Sequence, residues 1–278
     1  LKIEPEHVQS VDAIPFLPIR FFKSRQVICS GQSAEIVFTS SGTGHTGQSR
    51  HWVSRLDVYE MSFRKAFRMF FGSPDEYVIL ALLPGYLERK GSSLIYMVND
   101  LINHGGSELS GFFSDDFDKL DAHIRRAAGT SRKLMLWGVS FGLLDFFEKF
   151  LCHNPEMLIV ETGGMKGRRK EIIRDELHAR LRDASGTKKI YSEYGMTELL
   201  SQAYMLSGEN FKSPPWMEVR IRDLYDPFAK APKGTTGGIN VIDLANFNSC
   251  AFIETEDLGK HYADGSFEVL GRYDQSEI

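Results

Sequence analysis

The stretch from Phe38 to His51, FTSSGTGHTGQSRH, concentrates glycines and hydroxyls and ends in a cation. A loop of that composition can wrap β- and γ-phosphates. Its backbone N–H groups and hydroxyls donate hydrogen bonds, and Arg50 supplies the counter-charge. Further along, YSEYGMTE (191–198) closes a strand-like run and sets the Thr197 hydroxyl beside the Glu198 carboxylate. That pair suits an α-phosphate and a magnesium ion, a hard cation that takes oxygen ligands. ETEDLG (254–259) places Asp257 between strands, where a carboxylate can accept two hydrogen bonds from ribose hydroxyls. GRYDQSEI (271–278) adds Arg272, long enough to reach ribose or phosphate. Each segment alone reads as a plain turn, and Glu198 alone as a carboxylate favoured by a helix N-terminus. As an ordered set they describe a site for a nucleotide polyphosphate.

Two other patterns compete for the same residues or their neighbours. Gly42, Gly44 and Gly47 satisfy G-x-G-x-x-G, and Gly42 and Gly47 followed by Gln48-Ser49 nearly satisfy G-x-x-x-x-G-K-[ST]. A dinucleotide loop needs its helix directly after the glycines and an acidic residue about 20 positions on. Here the helix is expected only near Trp52, and YVILALL runs into Pro84. The P-loop reading lacks its lysine, because Gln48 stands there. Gly138 to Gly142, GVSFG, fits G-x-S-x-G between a predicted strand and a predicted helix, the context of a nucleophile elbow. A triad on Ser140 would draw on Asp145 or Asp175 and on His178 or His261, none of which carries a motif of its own. The plainer reading is a tight strand-to-helix turn.

The elements that must position these residues follow from periodicity. Residues 34–40 read as a strand, and Trp52 to Phe71 as a helix. YVILALL (77–83), bounded by Pro74 and Pro84, reads as a strand buried on both faces. Ser92 or Ser93 can cap a helix through LIYMVNDLINH that Gly105-Gly106 stops. Asp115 and Asp116 open another, ending near Gly129. KLMLW (133–137) is a strand, LLDFFEKFL a helix, and MLIVE (157–161) a strand. KEIIRDELHARLRDASG is an amphipathic helix with Ile172, Ile173, Leu177 and Leu181 on one side and Gly186 as its stop. KKIYSEYG (188–195) is a further strand. The alternation predicts an α/β architecture with mostly parallel sheet and flanking helices. After about residue 213 the short segments WMEVRIRDLYDP, GGINVIDL, CAFIETEDLG and SFEVLGRYD predict a β-rich, antiparallel part. The expected division is therefore residues 1–212 and 213–278.

Composition narrows the function classes. With 42% hydrophobic and 25% charged residues, the chain can bury a substantial core. A net charge of -4 gives no basic face for nucleic acid. The longest apolar runs are too short to span a bilayer. The polar N-terminus is not a secretory signal, and its lack of Met points to preceding residues. Cys29, Cys152 and Cys250 are far apart without a C-x-x-C pair, which predicts neither a disulfide framework nor a zinc site and favours a reducing, cytoplasmic home. The aromatics Phe141, Phe146, Tyr86 and Trp137 could line an acyl pocket or simply form core.

At these residues the sequence resembles the adenylate-forming superfamily: acyl-CoA synthetases, luciferase-type enzymes and acyl-protein synthetases. The superfamily loop T-S-G-T-T-G-x-P-K is similar to Ser40-Ser41-Gly42-Thr43 joined to Thr46-Gly47-Gln48-Ser49-Arg50, with Gly44-His45 inserted and Arg50 in place of lysine. Y-G-x-T-E is matched fully by Tyr194-Gly195-Met196-Thr197-Glu198. T-G-D-L-G is similar to Thr255-Glu256-Asp257-Leu258-Gly259, and G-R-x-D-D to Gly271-Arg272-Tyr273-Asp274-Gln275. ETGGMK, containing Gly163 and Gly164, occupies the place of the glycine-rich segment that borders the adenine. AIPFLPIRFFK, LLPGYLERKGSSLIYM and EYGMTELLSQAY look like the LuxE-type acyl-protein synthetase branch.

The resemblance implies the large N-terminal lobe of such an enzyme, with the small C-terminal lobe and its catalytic lysine absent from the chain. It implies ATP and magnesium, with Ser41, Gly42, Thr43, Thr46, Gly47, Gly163, Gly164, Tyr194, Gly195, Met196, Asp257 and Arg272 binding the nucleotide. Arg50, Thr197 and Glu198 would carry catalysis, Glu198 also holding the metal. The implied reaction is ATP-dependent adenylation of a carboxylic acid, fatty by the LuxE-type likeness. The acyl group then passes to a thiol, a protein cysteine or CoA, with acyl-transfer or reductase subunits as implied partners. The superfamily commonly has proline where Ser140 stands, which argues against a nucleophile there. The alternatives are a serine acyltransferase or hydrolase using Ser140 and a nucleotide-binding remnant without turnover.

Overall fold

The computed structural model describes residues 5–40, 47–83, 91–150, 152–163, 172–206, 208, 210–226 and 228–272. The chain begins with β1 (Leu17–Pro18), α1 (Phe21–Ser24), β2 (Ile36–Thr39), β3 (Arg50–Val53) and α2 (Leu56–Phe71). The regular alternation follows: β4 (Tyr77–Leu82), α3 (Ser93–Gly105), β5 (Gly111–Phe113), α4 (Phe117–Ala127), β6 (Lys133–Val139), α5 (Ser140–Lys149), β7 (Leu158–Thr162), α6 (Arg174–Ser185) and β8 (Ile190–Tyr194). Among the described residues six strands follow: β9 (Ala203–Met205), β10 (Phe211–Lys212), β11 (Met217–Arg222), β12 (Gly237–Asp243), β13 (Phe252–His261) and β14 (Phe267–Arg272). Among the described residues no helix is long and apolar enough to cross a membrane.

All but β2 and β3 join one sheet, with β5-β4-β6-β7-β8 parallel and β8-β9-β10-β14-β13-β12-β11 antiparallel. Every residue of β4 is buried, as a strand covered on both faces by helices requires. Its helices end where the sequence says they should. Ser92 Oγ accepts from the Ile95 N–H at the start of α3, and Asp116 from the Lys119 N–H at the start of α4. Trp137, Phe141 and Phe146 are buried in the larger apolar cluster, with Phe63 and Phe67 of α2. A second cluster fills the antiparallel half, from Phe22 and Leu199 to Ile253 and Phe267.

Two boundaries differ from expectation. Residues Arg50–Val53 form a strand paired to β2, and the helix starts at Leu56 rather than Trp52. Within the strand His51 and Val53 are buried while Arg50 and Trp52 are not, a two-residue alternation too short to stand out in the sequence. The helix N-terminus is satisfied from a distance, since the Leu56 N–H donates to Glu35 Oε2 at 2.9 Å; no local cap marks it. Ile172 and Ile173 precede α6, and Ile173 is exposed, so the apolar face of that helix is carried by Leu177 and Leu181.

The chain between β8 and β9, residues 195–202, is irregular, so its polar backbone needs partners outside the ladders. Asp243, fully buried at the end of β12, supplies several. Its Oδ2 accepts from the Leu200 and Ser201 N–H groups at 2.8 and 3.0 Å, and its Oδ1 from the Ser201 hydroxyl at 2.6 Å and the Ala245 N–H at 3.1 Å. Asp243→Ala would strand three buried N–H donors, at about 1–3 kcal/mol each. The expected loss is at least about 3 kcal/mol, read from the midpoint of urea denaturation; an unchanged midpoint would refute the role.

Candidate functional site

Tyr194 ends β8 and Asp257 lies on β13, four strand spacings away in the sheet order, about 19 Å if the sheet were flat. Yet the Tyr194 hydroxyl donates to Asp257 Oδ2 at 2.8 Å. The antiparallel half therefore curls over the end of β8. Its filling is aromatic: the Phe211 and Phe267 rings stack at 5.4 Å, and the Tyr194 ring meets them edge-on at 6.0 and 5.7 Å. Arg272 is the register partner of Asp257 on β14, its Nε 3.9 Å from Oδ1. Two motif glycines are fixed by this strand pair. Gly271 adopts φ 144, which side chains resist, and a Cβ on Gly259 would lie 2.3 Å from the Glu268 carbonyl oxygen. Burial raises the Asp257 carboxyl, against the Tyr194 hydroxyl and Arg272, which lower it.

The glycine-rich stretch joins β2 to β3, with Thr39 opposite Arg50. The Ser40 N–H donates to the Ser49 carbonyl at 3.0 Å, and Ser40 Oγ accepts from the Ser49 N–H at 2.9 Å, closing the neck. A strand follows Gly47 where both glycine-loop patterns require a helix, so neither describes this stretch. Ser41, Gly42, Thr43, Thr46 and Gly164 lie outside the described residues; Gly47 is exposed.

The outgoing arm of this hairpin touches the Y-G-M-T-E segment twice. The Ser49 side chain lies near enough to Glu198 to hold its carboxyl down, and His51 Nδ1 donates to the Thr197 carbonyl at 2.9 Å. Arg50 stands exposed between them. Arg272, exposed on β14, acts electrostatically on Glu198, Tyr194 and Asp257 alike. The structure thus brings Thr197, Glu198, Tyr194, Asp257 and Arg272 into one neighbourhood, with Arg50 on the strand that holds Thr197. Gly195 and Met196 lie on the same segment, Met196 against the second apolar cluster.

Glu198 is followed by irregular chain, not by a helix, so a helix N-terminus does not account for it. It is 6% exposed, and burial raises its carboxyl against the lowering effect of the nearby Ser49 side chain. Among the described residues no three His, Cys, Asp or Glu side chains gather around a metal position. A desolvated single carboxylate fits a divalent cation that takes its remaining oxygens from a ligand and water. Ser49, His51, Asn246 and Asp243 were not foreseen. Ser49 and His51 flank Arg50 in the glycine-rich stretch; Asn246, whose Nδ2 donates to the Glu198 carbonyl at 2.7 Å, has no local signal.

Ser140 serves a different purpose from a nucleophile. It is buried, and its hydroxyl faces Glu161 Oε2 at 2.9 Å and the Gly163 carbonyl at 3.0 Å. Among the described residues no imidazole bonds it; His178 Nε2 meets Ser192 Oγ at 3.1 Å instead. Glu161 also accepts from the Ser192 hydroxyl at 2.6 Å and faces Arg174 at 3.6 Å. Burial raises the Glu161 carboxyl, but His178, Arg174 and Ser192 outweigh it and hold it low. This polar knot ties together β6, β7 and β8, and with them Gly163, which is exposed.

No family model matches the chain, and no curated protein sequence matches it significantly. Solved structures do. ATP-bound MatB from Rhodopseudomonas palustris superposes with a TM-score of 0.63 at 19% identity, over 85% of this chain and 47% of that one. O-succinylbenzoate coenzyme A synthetase (MenE) from Bacillus subtilis, in complex with ATP and magnesium ion, gives 0.60 at 17% identity, over 85% and 49%. The amide bond synthetase McbA from Marinactinospora thermotolerans gives 0.58 at 18%, over 86% and 49%. The chain spans about half the length of these proteins, and at such identities the likeness is one of fold.

Glu193, one residue before Tyr194, tests the electrostatics of this region. Burial raises its carboxyl to about 7 from 4.5, against the hydrogen bond from Thr162, with Glu161 adding to the rise. The folded protein therefore keeps a proton that the unfolded chain releases, and stability falls as pH climbs from 4.5 to about 7. Glu193→Gln removes that dependence. Relative to the variant, the wild type should lose about 3 kcal/mol between the two pH limits, at about 1.4 kcal/mol per pKa unit. Denaturant titrations of both proteins at acid and alkaline pH check this, and parallel pH profiles would contradict it.

Proposed function

The chain has the fold of the adenylate-forming ligases, and from that premise we propose that it activates a carboxylic acid with ATP to form an acyl-adenylate. A carboxylate oxygen attacks the α-phosphorus and forms a new P–O bond. The bond to the β-phosphate breaks, and pyrophosphate leaves with its electron pair. In a second step a thiolate forms a bond to the acyl carbon, and AMP departs with the electrons of the C–O bond. Without the first step the leaving group would be oxide, which is why a carboxylate is a poor acyl donor.

The observation that carries this reading is the convergence of distant motifs: Tyr194 on Asp257, Asp257 beside Arg272, and His51 on Thr197. Asp257 is held to accept ribose hydroxyls. The Thr197 hydroxyl is offered to the α-phosphate, and Arg50 opposes charge on the departing pyrophosphate. Glu198 holds magnesium, which when bound adds positive charge at the phosphates. Gly163, Gly195 and Met196 border the base, and Gly47 belongs to the phosphate loop with Ser41, Gly42, Thr43 and Thr46. The substrate we favour is a fatty acid and the acceptor a protein cysteine or CoA thiol, as in LuxE-type acyl-protein synthetases. In this reading residues 1–212 bind nucleotide and acyl group and residues 213–278 form a β-rich part, the second apolar cluster drawing on both, from Phe22 and Tyr194 to Ile253 and Phe267. Three free cysteines are compatible with a cytoplasmic home.

Calorimetric titration with Mg-ATP and with a non-hydrolysable acyl-adenylate mimic tests the reading. The mimic should bind, and Asp257→Ala or Thr197→Ala should weaken it about 10- to 100-fold, the cost of losing hydrogen bonds to charged or ribose oxygens. ATP–pyrophosphate exchange with a panel of carboxylic acids then identifies the acid. Binding without exchange for any acid would leave a nucleotide-binding protein, and failure to bind either ligand would sink the proposal.

A further inference from the structure

His51 is fully buried and does nothing in the chemistry set out above. Its ring packs edge-on against Phe22, centroids 5.4 Å apart, so it cannot swing away. A carbonyl only accepts, so the 2.9 Å contact to Thr197 requires the proton on Nδ1. Burial pushes the imidazole down to about 4, against the Thr197 carbonyl and the nearby Asn246 side chain, which raise it; Nε2 is then an acceptor facing the Ser249 hydroxyl at 3.0 Å. Ser249 Oγ also lies 2.6 Å from Asn246 Oδ1. Asn246, itself fully buried, is turned by its Nδ2 donating to the Glu198 carbonyl at 2.7 Å. His51 thus holds the Thr197 carbonyl and Asn246 the Glu198 carbonyl, with the Ser249 hydroxyl, whose one proton serves either His51 Nε2 or Asn246 Oδ1, between the two side chains. Together they grip two consecutive carbonyls of the Y-G-M-T-E segment.

We propose that His51 is a positioning residue that couples the outgoing arm of the phosphate loop to Thr197 and Glu198. It rests on the adenylation reading for its consequence, but the coupling itself is a matter of backbone geometry. His51 directly follows Arg50 on β3, so any shift of that arm moves the donor on the Thr197 carbonyl. A displacement of about 1 Å at a reacting group costs up to about 100-fold in rate, without touching the groups that bind the carboxylic acid.

Two substitutions separate the ring nitrogens. His51→Asn keeps a donor where Nδ1 stands, and His51→Gln keeps one where Nε2 stands. Amide hydrogen exchange of residues 194–202 should stay slow in His51→Asn and rise about 10-fold or more in His51→Gln. In ATP–pyrophosphate exchange, kcat should fall about 10- to 100-fold in His51→Gln and recover to within about threefold of wild type in His51→Asn. KM for the acid should be unchanged in both. Equal protection in the two variants, or losses of kcat that follow thermal midpoints alone, would overturn the coupling. If the wild type neither binds Mg-ATP nor exchanges pyrophosphate, the adenylation reading fails. The hydrogen-exchange contrast still decides whether His51 holds Thr197.

Discussion

The structure depends on how residues 195–202, an irregular stretch between two strands of one sheet, are held in place. Such a stretch has polar groups that no ladder satisfies, and it cannot be buried without partners. Asp243 meets that need from one side and His51 with Asn246 from the other. The carboxyl of Asp243 is itself raised by burial, against the Ser201 and backbone N–H donors that surround it, so it is expensive to keep and is kept by those donors. The network reaches further: the Trp216 indole donates to Ser62 at 2.9 Å, and Ser62 meets Ser201 at 3.0 Å. Helix α2, the site segment and the β11–β12 pair are thereby fastened at one point.

The second constraint is curvature. A sheet that is parallel at one end and antiparallel at the other would leave the Tyr194 end of β8 far from β13. The very short β10 makes the bend: Phe211 pairs with Met205 on one side and Phe267 on the other, and Lys212 pairs with Tyr204. The Phe211, Phe267 and Tyr194 rings fill the inside. Arg174 then pins the bend from the helical side, its Nη1 donating to the Val269 carbonyl at 2.9 Å and its guanidinium over the Phe211 ring. Asp257 and Arg272 come to the site because apolar packing closes the sheet on itself.

What the sequence made legible was local. The all-apolar β4, the Ser92 and Asp116 caps, and the glycines ending α3 and α6 were each readable from a few adjacent residues, and each stands where expected. The convergence of Tyr194, Asp257 and Arg272 was readable only through motif order, because the curl that joins them is made by Phe211 and Phe267. Trp52 and Val53 read from sequence as the start of a helix: the four residues of β3 carry too little period, and the true helix start is capped by Glu35, far upstream. The least legible contacts join residues separated by 146 and 198 positions, His51 with Thr197 and with Ser249. A histidine in a strand carries no mark of the carbonyl it will meet, and Asn246 reads as any turn residue.

The charges at the site are arranged unevenly, and that unevenness has a direction. Glu198 is buried and Asp257 half-buried, and the carboxyls of both are raised by desolvation, whereas Arg50 and Arg272 stand in water. Desolvated anions gain most from an incoming cation, since little solvent competes for them. Exposed guanidiniums lose little by turning toward a polyanion, being weakly hydrated for their charge. A lone cation would meet only the carboxylates, and a lone polyphosphate would meet their repulsion. A metal–polyphosphate complex satisfies both sets together. The arrangement therefore favours the proposed magnesium nucleotide over either component alone, and it does so before any substrate acid is present.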